Sequence, residues 1–218
     1  LTGDSGSILE VNGEAGTDTI TASGATISGY FVQLNGGDDN DTITGSLSND
    51  VIFGGAGDDN ISAGAGRDIV LAGAGNDTVF GNRGADRIDG GDGDDSLDGG
   101  HANDTITGGA GNDFATGMHG NDSISGGDNN DTLNGMAGND FIDGGNGNDR
   151  IFGGSRKDTL RGGAGNDSIK GQSGRDVIFG EDGDDTLRGN GARVWAGPFV
   201  RPPIVSVASR DCRLPWSW

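Results

Sequence analysis

A nine-residue pattern of polar and aliphatic positions runs through most of this chain. From Asp41 onward every ninth residue is Asp, for seventeen consecutive repeats. An aliphatic residue, here called U, stands two positions after each Asp, and Gly or Ala stands five positions before it, with Ala115 the one small U residue. Only the x-U-x part of the unit Gly-Gly-x-Gly-x-Asp-x-U-x suits a strand, because the other six residues favour turns. The pattern therefore predicts short strands alternating with tight turns.

Alternate repeats fall into two unequal classes, so the true period is eighteen residues. In the class that begins at Gly36, the second position is Gly in every repeat until Glu181, and the fifth position is always Asn or Asp. In the other class, which begins at Gly45, the second position varies. All three fifth-position cations, namely Arg67, Lys157 and Arg175, belong to this second class. We call the turns of the first class edge 1 and those of the second class edge 2.

Two repeats per turn predict an all-β fold, a parallel β-roll (β-solenoid) in which two sheets face each other across a thin core of U residues. With turns stacked at strand spacing, about eight and a half turns give a rod on the order of 40 Å long. Sheet I should carry Ile43, Ile61, Val79, Leu97, Ala115, Leu133, Ile151, Ile169 and Leu187. Sheet II should carry Ile52, Val70, Ile88, Ile106, Ile124, Ile142, Leu160 and Ile178.

Composition favours metal ions as the binding partner of this roll. The chain has 218 residues, a formal net charge of −20 and 47 Gly. Such acidity disfavours nucleic acid and anionic lipid, and no apolar run is long enough for a membrane span. The single Cys212 permits no internal disulfide, so another source of stability is needed.

The repeat Asp residues are the candidate metal ligands. At a period of eighteen, each lies directly above the next, and such rows of carboxylates would repel each other unless cations lay between them. Ca²⁺ suits this arrangement because it accepts six to eight hard oxygen ligands in flexible geometry, whereas an EF-hand is excluded because its Glu is missing from the register. Without Ca²⁺, we expect the acidic, Gly-rich chain to be disordered. The ligands predicted are Asp41, Asp50, Asp59, Asp68, Asp77, Asp86, Asp95, Asp104, Asp113, Asp122, Asp131, Asp140, Asp149, Asp158, Asp167, Asp176 and Asp185.

Over about residues 36 to 188 the sequence resembles the RTX (repeats-in-toxin) family of secreted bacterial proteins. The resemblance implies ions between adjacent turns, held by the repeat Asp carboxylates and by carbonyls of the Gly-rich loops, with about fifteen sites as the ceiling. Edge 2 should bind more weakly, because Arg67, Arg156, Lys157 and Arg175 add positive charge and Ala102 disfavours the turn. The row of Asp140, Asp158 and Asp176 is the weakest site expected.

Three segments are predicted along the chain. Residues 1–35 form an N-terminal β-helical lead-in or cap, because residues 9–21 align with 32–44 at an offset of 23. Residues 36–189 form the calcium-binding roll, and residues 190–218 form an atypical Arg-, Pro- and Trp-rich tail, which is a docked cap, a partner-binding tail or an artefactual end. No leader is visible, which suggests an N-terminally truncated fragment, and the tail does not clearly resemble a type I secretion signal.

The function predicted is calcium binding by a secreted, extracellular or cell-surface structural and secretion module that folds when it binds Ca²⁺. The resemblance to RTX proteins also implies an alternative, the C-terminal appendage of a secreted protease, lipase, alginate epimerase or haemolysin, and a further alternative is part of a surface adhesin. No catalytic constellation is present, so the chain itself is not predicted to be an enzyme. Two further features are candidate sites. The first is an outward apolar patch, which either binds a protein or polysaccharide partner or is covered by residues 30–32, and it consists of Val51, Phe53, Ile69 and Leu71. The second is the stacked pair His101 and His119, which is a pH-sensitive or transition-metal site or a pair of exposed turn residues.

Overall fold

The computed structural model describes residues 8–23, 31–189, 193–195 and 204–207. Every regular element within these ranges is a β-strand, so the predicted all-β fold is confirmed. In chain order the strands are β1 (Ile8–Ala15), β2 (Thr19–Thr21), β3 (Phe31–Asp38), β4 (Thr42–Thr44), β5 (Asp50–Ala56), β6 (Asn60–Ser62), β7 (Ile69–Ala74), β8 (Thr78–Phe80), β9 (Arg87–Asp92), β10 (Ser96–Asp98), β11 (Thr105–Ala110), β12 (Phe114–Thr116), β13 (Ser123–Asp128), β14 (Thr132–Asn134), β15 (Phe141–Asn146), β16 (Arg150–Ser155), β17 (Thr159–Ala164), β18 (Ser168–Ser173), β19 (Val177–Asp182), β20 (Thr186–Gly189), β21 (Arg193–Trp195) and β22 (Ile204–Val207).

The strands form two parallel sheets that alternate along the chain. Among the described residues, the odd-numbered strands make one 11-stranded sheet, which is sheet II, and the even-numbered strands make the other, which is sheet I. Each strand pairs with the strand two elements later, and the pairing places Ile43 beside Ile61 and Ile52 beside Val70. The eighteen-residue period and the two predicted sets of U residues are therefore confirmed. The chain winds as a β-solenoid, passing from sheet II to sheet I through edge 1 and back through edge 2.

The core between the sheets is one aliphatic side chain deep on each side. The U residues from Ile43 to Leu187 are 0–1% exposed, and Ala115 is buried with them. The residues on either side of each U residue point outward, since side chains alternate across a strand. On the outer face of sheet II, Val51 pairs with Ile69 and Phe53 with Leu71, which confirms the predicted apolar patch.

The lead-in follows the predicted offset of 23 residues. Leu9 pairs with Val32, and Ile20 pairs with Ile43, so residues 8–23 form a coil that continues both sheets. Val32 is fully buried in the core, so the prediction that residues 30–32 cover the outer patch is wrong for Val32, because its side chain points to the opposite side of the sheet. Tyr30 lies outside the described residues.

Two short segments of the predicted tail also join the sheets. Strand β21 pairs with β19 in sheet II, and strand β22 pairs with β20 in sheet I. The other residues of the tail, including Cys212, lie outside the described ranges. The segment boundaries at 35/36 and 189/190 stay predictions.

Candidate functional site

The seventeen predicted Asp residues lie in two buried columns, one along each edge. Each of them is 0–3% exposed. Nine of the residues, from Asp41 to Asp185, follow edge 1, and eight, from Asp50 to Asp176, follow edge 2. The tight turns leave so little space that a Cβ atom added at Gly81 would lie 2.8 Å from Oδ2 of Asp86. Small residues at the first repeat position therefore let the carboxylate fold inward beneath its own turn.

One carboxylate oxygen of nearly every column member is used to join successive turns. Except for Asp176 and Asp185, which end the columns, the backbone N–H of each Asp donates to Oδ1 of the Asp one turn later, for example Asp41 to Asp59 and Asp77 to Asp95, both at 2.8 Å. The series spans 2.8–3.2 Å, and its longest bond runs from Asp158 to Asp176 on edge 2. Each carboxylate is consequently held in a fixed position relative to the turn before it.

The other carboxylate oxygen, Oδ2, has no protein partner in most of the column. It is buried and accepts no hydrogen bond in fifteen of the seventeen predicted residues, the exceptions being Asp50 and Asp185. A buried polar atom without a partner costs on the order of 1–3 kcal/mol, and more when it is charged. A cation bound beside each of these Oδ2 atoms would supply the missing partner and remove that free-energy cost. The residues present therefore fit a metal that prefers oxygen ligands.

The charge state of the columns supports the same conclusion. The pKa of Asp95 is raised to about 7, chiefly by burial and also by the neighbouring carboxylates of Asp113 and Asp77, while the backbone hydrogen bond from Asp77 acts in the opposite direction. Asp68 and Asp104 on edge 2 have pKa values of about 7 for the same reasons, with burial the largest cause. A cation between two such carboxylates would remove both the desolvation penalty and the repulsion.

Backbone carbonyl groups add further oxygen donors beside the columns. In the described turns, the carbonyl oxygens of the fourth repeat position, such as those of Gly57 and Gly75, accept none of the backbone hydrogen bonds that join one turn to the next. The fourth position also lies beside the carboxylate, since a Cβ atom added at Gly84 would be 3.0 Å from Oδ1 of Asp86. Two carboxylates and such carbonyls together resemble the ligand set that Ca²⁺ accepts.

Side chains alone do not assemble a complete metal site. Across the described ranges, no group of three or more His, Cys, Asp or Glu residues is placed to hold a metal ion. This agrees with a site in which each gap between turns contributes two carboxylates, and backbone oxygens supply the remainder. Zn²⁺ and other ions that favour nitrogen and sulfur would find no complete side-chain ligand set there.

Edge 2 is the less regular of the two edges. Ala102 and Arg156 occupy its fourth position with φ of 82° and 84°, a left-handed backbone that residues other than Gly rarely adopt. The inter-turn bonds from Asp140 to Asp158 and from Asp158 to Asp176 are 3.0 and 3.2 Å, against 2.8 Å for most of the series. Arg156 and the two longer bonds fall in the row of Asp140, Asp158 and Asp176, where the sequence predicts the weakest site, whereas Ala102 lies in the turn of Asp104.

Sequence reasoning missed two residues that belong to the columns. Asp18 donates its N–H to Oδ1 of Asp41 at 2.8 Å, and its own Oδ2 is buried without a partner, so it extends edge 1 by one turn. The 23-residue offset that aligns Asp18 with Asp41 was the available signal. Ser46 was visible only as a departure from Gly at the second position, and its role depends on backbone geometry.

The turn at residues 45–50 is closed by Ser46. The Ser46 N–H donates to Oδ2 of Asp50 at 2.5 Å, and the Ser46 hydroxyl donates to Oδ1 at 2.9 Å. Neither Ser46 nor Ser48 has the positive φ that most second and fourth positions adopt. Both oxygens of Asp50 thus have protein partners, unlike those of the fifteen column residues whose Oδ2 is buried without a partner, and this turn is complete without a metal.

The two further candidate features are also present in the structure. On the outer face of sheet II, Ile69 and Leu71 are 41% and 40% exposed. His101 and His119 lie in adjacent turns of edge 2 with their ring centroids 4.9 Å apart. None of the described residues belongs to a helix long and apolar enough to cross a membrane.

Comparison with known proteins identifies the repeat. The profile of the RTX calcium-binding nonapeptide repeat, which spans four copies of the unit, matches residues 35–70, 71–101, 98–133, 125–155 and 152–187. A search of the curated proteins found no match. The matches cover residues 35–187 without a gap, well over half of the chain, and they coincide with the regular turns of the solenoid. The chain therefore belongs to the family of RTX calcium-binding nonapeptide repeat proteins.

Proposed function

We propose that this chain binds Ca²⁺ between successive turns along both edges of the roll and that it folds when the ions bind. The observation that carries the proposal is the buried Oδ2 atom without a partner, repeated down each column. The ligands are the seventeen Asp residues named from the sequence, joined on edge 1 by Asp18. Because Asp50 is satisfied by Ser46, the gap next to it contributes least.

Folding is coupled to binding because the calcium-free roll is poorly stabilised. Its core is only one side chain deep on each side, and many of its carboxylates carry unfavourable burial and mutual repulsion. Ordering the Gly-rich turns also costs much conformational entropy. Ca²⁺ supplies the missing partner for each carboxylate, and its binding free energy becomes folding free energy. Since each turn contacts only its neighbours, filling one gap orders the next, so binding should be cooperative.

The repeat region is a structural calcium-binding module and is not catalytic. We propose residues 36–189 as that module, acting within a secreted bacterial protein or at the cell surface, where weak millimolar-class sites can fill. In a compartment with little Ca²⁺ the same chain would remain unfolded. The activity of the protein that carries the module is a separate question.

A calcium titration of chelator-treated protein tests the proposal directly. Far-ultraviolet circular dichroism should change steeply from coil to β with Ca²⁺, whereas the same concentrations of Mg²⁺ should leave the spectrum unchanged, because Mg²⁺ demands a tighter octahedral site. Equilibrium dialysis should give no more than about sixteen bound ions, because ten Asp residues on edge 1 and eight on edge 2 leave nine and seven gaps, with the gap beside Asp50 contributing least. An equal response to both metals, or none to either, would remove the basis for the proposal.

The predicted difference between the edges has its own test. Asp95→Asn on edge 1 and Asp158→Asn on edge 2 remove the same charge from columns of the same kind. We expect Asp95→Asn to reduce the number of bound ions and to raise the calcium midpoint more than Asp158→Asn does, since Asp158 already lies in an irregular stretch. Equal effects would contradict the weakness assigned to edge 2.

A further inference from the structure

His101 and His119 form a side-by-side pair of imidazoles on edge 2. Each occupies the third position of its repeat, and the two backbones are joined by a parallel β-bridge. Their ring centroids are 4.9 Å apart, and the ring planes are tilted by 32°. Both residues are exposed, so a solute can reach the rings without any rearrangement of the core.

The spacing of the two rings fits a single metal ion bound by one nitrogen from each. A metal–nitrogen bond of about 2.0–2.1 Å places the ion about 3.2 Å from each ring centroid. Two centroids 4.9 Å apart then correspond to a nitrogen–metal–nitrogen angle of about 100°, close to tetrahedral and to cis-octahedral values. The rings must rotate about χ2 to converge, which exposed side chains can do while the backbone stays fixed by the roll.

The surroundings of the pair are mixed in charge. In the same column, Arg83 bridges to His101 on one side, and Ala137 bridges to His119 on the other. Burial is the largest influence on the pKa of Asp98 and raises it, and the Asp98 side chain also interacts electrostatically with His101. An acidic group at this place favours a bound cation, and Ala137 is small and exposed.

We propose that His101 and His119 bind one divalent transition-metal ion, with Cu²⁺ preferred over Ni²⁺ and Zn²⁺, at a site separate from the Asp columns. Imidazole nitrogen suits these ions and not Ca²⁺, and the order of affinities for divalent first-row metals places Cu²⁺ highest. Water completes the coordination, because no third side-chain donor is placed to hold a metal with the pair within the described residues.

The site exists only when the roll is folded. The two His residues are eighteen positions apart in sequence, and one complete turn of the solenoid brings them together. This calcium dependence rests on the proposed function. Ca²⁺ should therefore raise the affinity of the pair for Cu²⁺, and by thermodynamic reciprocity Cu²⁺ should lower the calcium midpoint of folding.

Electron paramagnetic resonance of Cu²⁺ tests the proposal, because splitting from imidazole nitrogens distinguishes this pair from carboxylate sites. The chain contains only two His, so any such signal is assignable. All samples carry Cys212→Ser and no affinity tag. Calcium-saturated protein with 0.5 equivalents of Cu²⁺ should show two nitrogen ligands; His101→Asn or His119→Asn should leave one and weaken binding at least tenfold. Arg83→Gln, in the same column, should retain both nitrogens.

Circular dichroism of the same samples separates the two proposals. Folded protein with fewer than two nitrogen ligands, or with equal Cu²⁺ affinity before and after His119→Asn, would overturn the metal site and leave the calcium proposal intact. If Ca²⁺ fails to fold the chain, the proposed function fails instead, and the pair is measured on protein folded by an osmolyte. Two nitrogens in that osmolyte-folded state would still support the metal site, and a single nitrogen would refute it.

Discussion

Replacing one column carboxylate by its neutral isostere should have opposite effects with and without Ca²⁺. Asp95→Asn keeps the size and the Oδ1 acceptor that receives the Asp77 N–H at 2.8 Å. It removes the charge from an oxygen that is buried without a partner. The calcium-free roll should gain stability by this change, and the calcium-bound roll should lose it.

The size of both effects can be worked from the environment of Asp95. A pKa raised from 3.8 to about 7 corresponds to about 4 kcal/mol above pH 7, at 1.36 kcal/mol per pKa unit. The carboxylate lies next to an exposed turn, so solvent screening reduces this to about 2 kcal/mol of gained stability without metal. With Ca²⁺, the gaps toward Asp77 and Asp113 both lose a charged ligand, and the calcium midpoint should rise about tenfold or more.

Two titrations followed by far-ultraviolet circular dichroism measure these effects. In chelator, folding is driven by trimethylamine N-oxide, and Asp95→Asn should fold at a lower concentration than the unmodified chain. In the absence of the osmolyte, Ca²⁺ should fold Asp95→Asn only at a higher concentration. Asp92→Asn is the matched control, because Asp92 lies in the same turn with an exposed side chain and should change neither midpoint appreciably.

A shift in the same direction in both titrations would refute this reasoning. If Asp95→Asn destabilised the chain without Ca²⁺, its carboxylate would be favourably placed in the metal-free roll, and its unpartnered Oδ2 could not be evidence for a cation. If Asp92→Asn raised the calcium midpoint as much, the effect would come from net charge and not from the column.

Three further predictions follow from the same geometry. Burial is the largest cause that raises the folded-state pKa of Asp68 and Asp104 to about 7, above the unfolded value of 3.8. The stability that protonation of these groups gives the metal-free roll is therefore fully present below about pH 4 and is lost as the pH rises toward 7. Circular dichroism of the metal-free chain should accordingly show more β structure at pH 4.5 than at pH 8. Ala102→Gly relieves a left-handed backbone and should lower the calcium midpoint by an amount equivalent to about 1 kcal/mol, whereas Ala110→Gly, outside that region, should raise it slightly. Ile124→Ala should reduce the calcium-bound stability to urea by about 2–4 kcal/mol, with a change below about 0.5 kcal/mol for an outward Ser-to-Ala control on the same strand.

The regular part of the fold could be predicted because the repeat encodes it locally. Spacing alone assigned Ile52 and Ile61 to opposite sheets and placed each Asp above its neighbour, since a translational repeat allows only one register when one face is buried. The same logic assigned the lead-in through its offset of 23. The features that recur at a fixed spacing, namely the sheets, the Asp columns and the lead-in, could therefore be predicted from the sequence.

The irregular features could not be predicted, because they depend on backbone angles at single positions. In the sequence Ser46 is only one departure from Gly at the variable second position of edge 2, yet its backbone lies outside the left-handed region, and its N–H and hydroxyl donate to the Asp50 carboxylate. Val32 was assigned to cover the outer face, but the pleat of β3 turns it into the core. The backbone φ angle at Ser46 and the side of the sheet to which Val32 points decide what each residue contacts, and residue type alone does not reveal either.

The two edges differ in how often their turns depart from Gly, and the proposed calcium binding would account for the difference. At the second repeat position, edge 1 has a side chain in the left-handed conformation only at Glu181 within the regular repeats, whereas edge 2 has several, including Met118 and Gln172. Each such side chain strains the turn by on the order of 1 kcal/mol. Under the proposed function, ions along edge 1 would hold the roll together and let it tolerate that strain on edge 2. Edge 2 could then display chemically distinct groups, such as His101 and His119, at the fixed spacing that one turn of the solenoid sets.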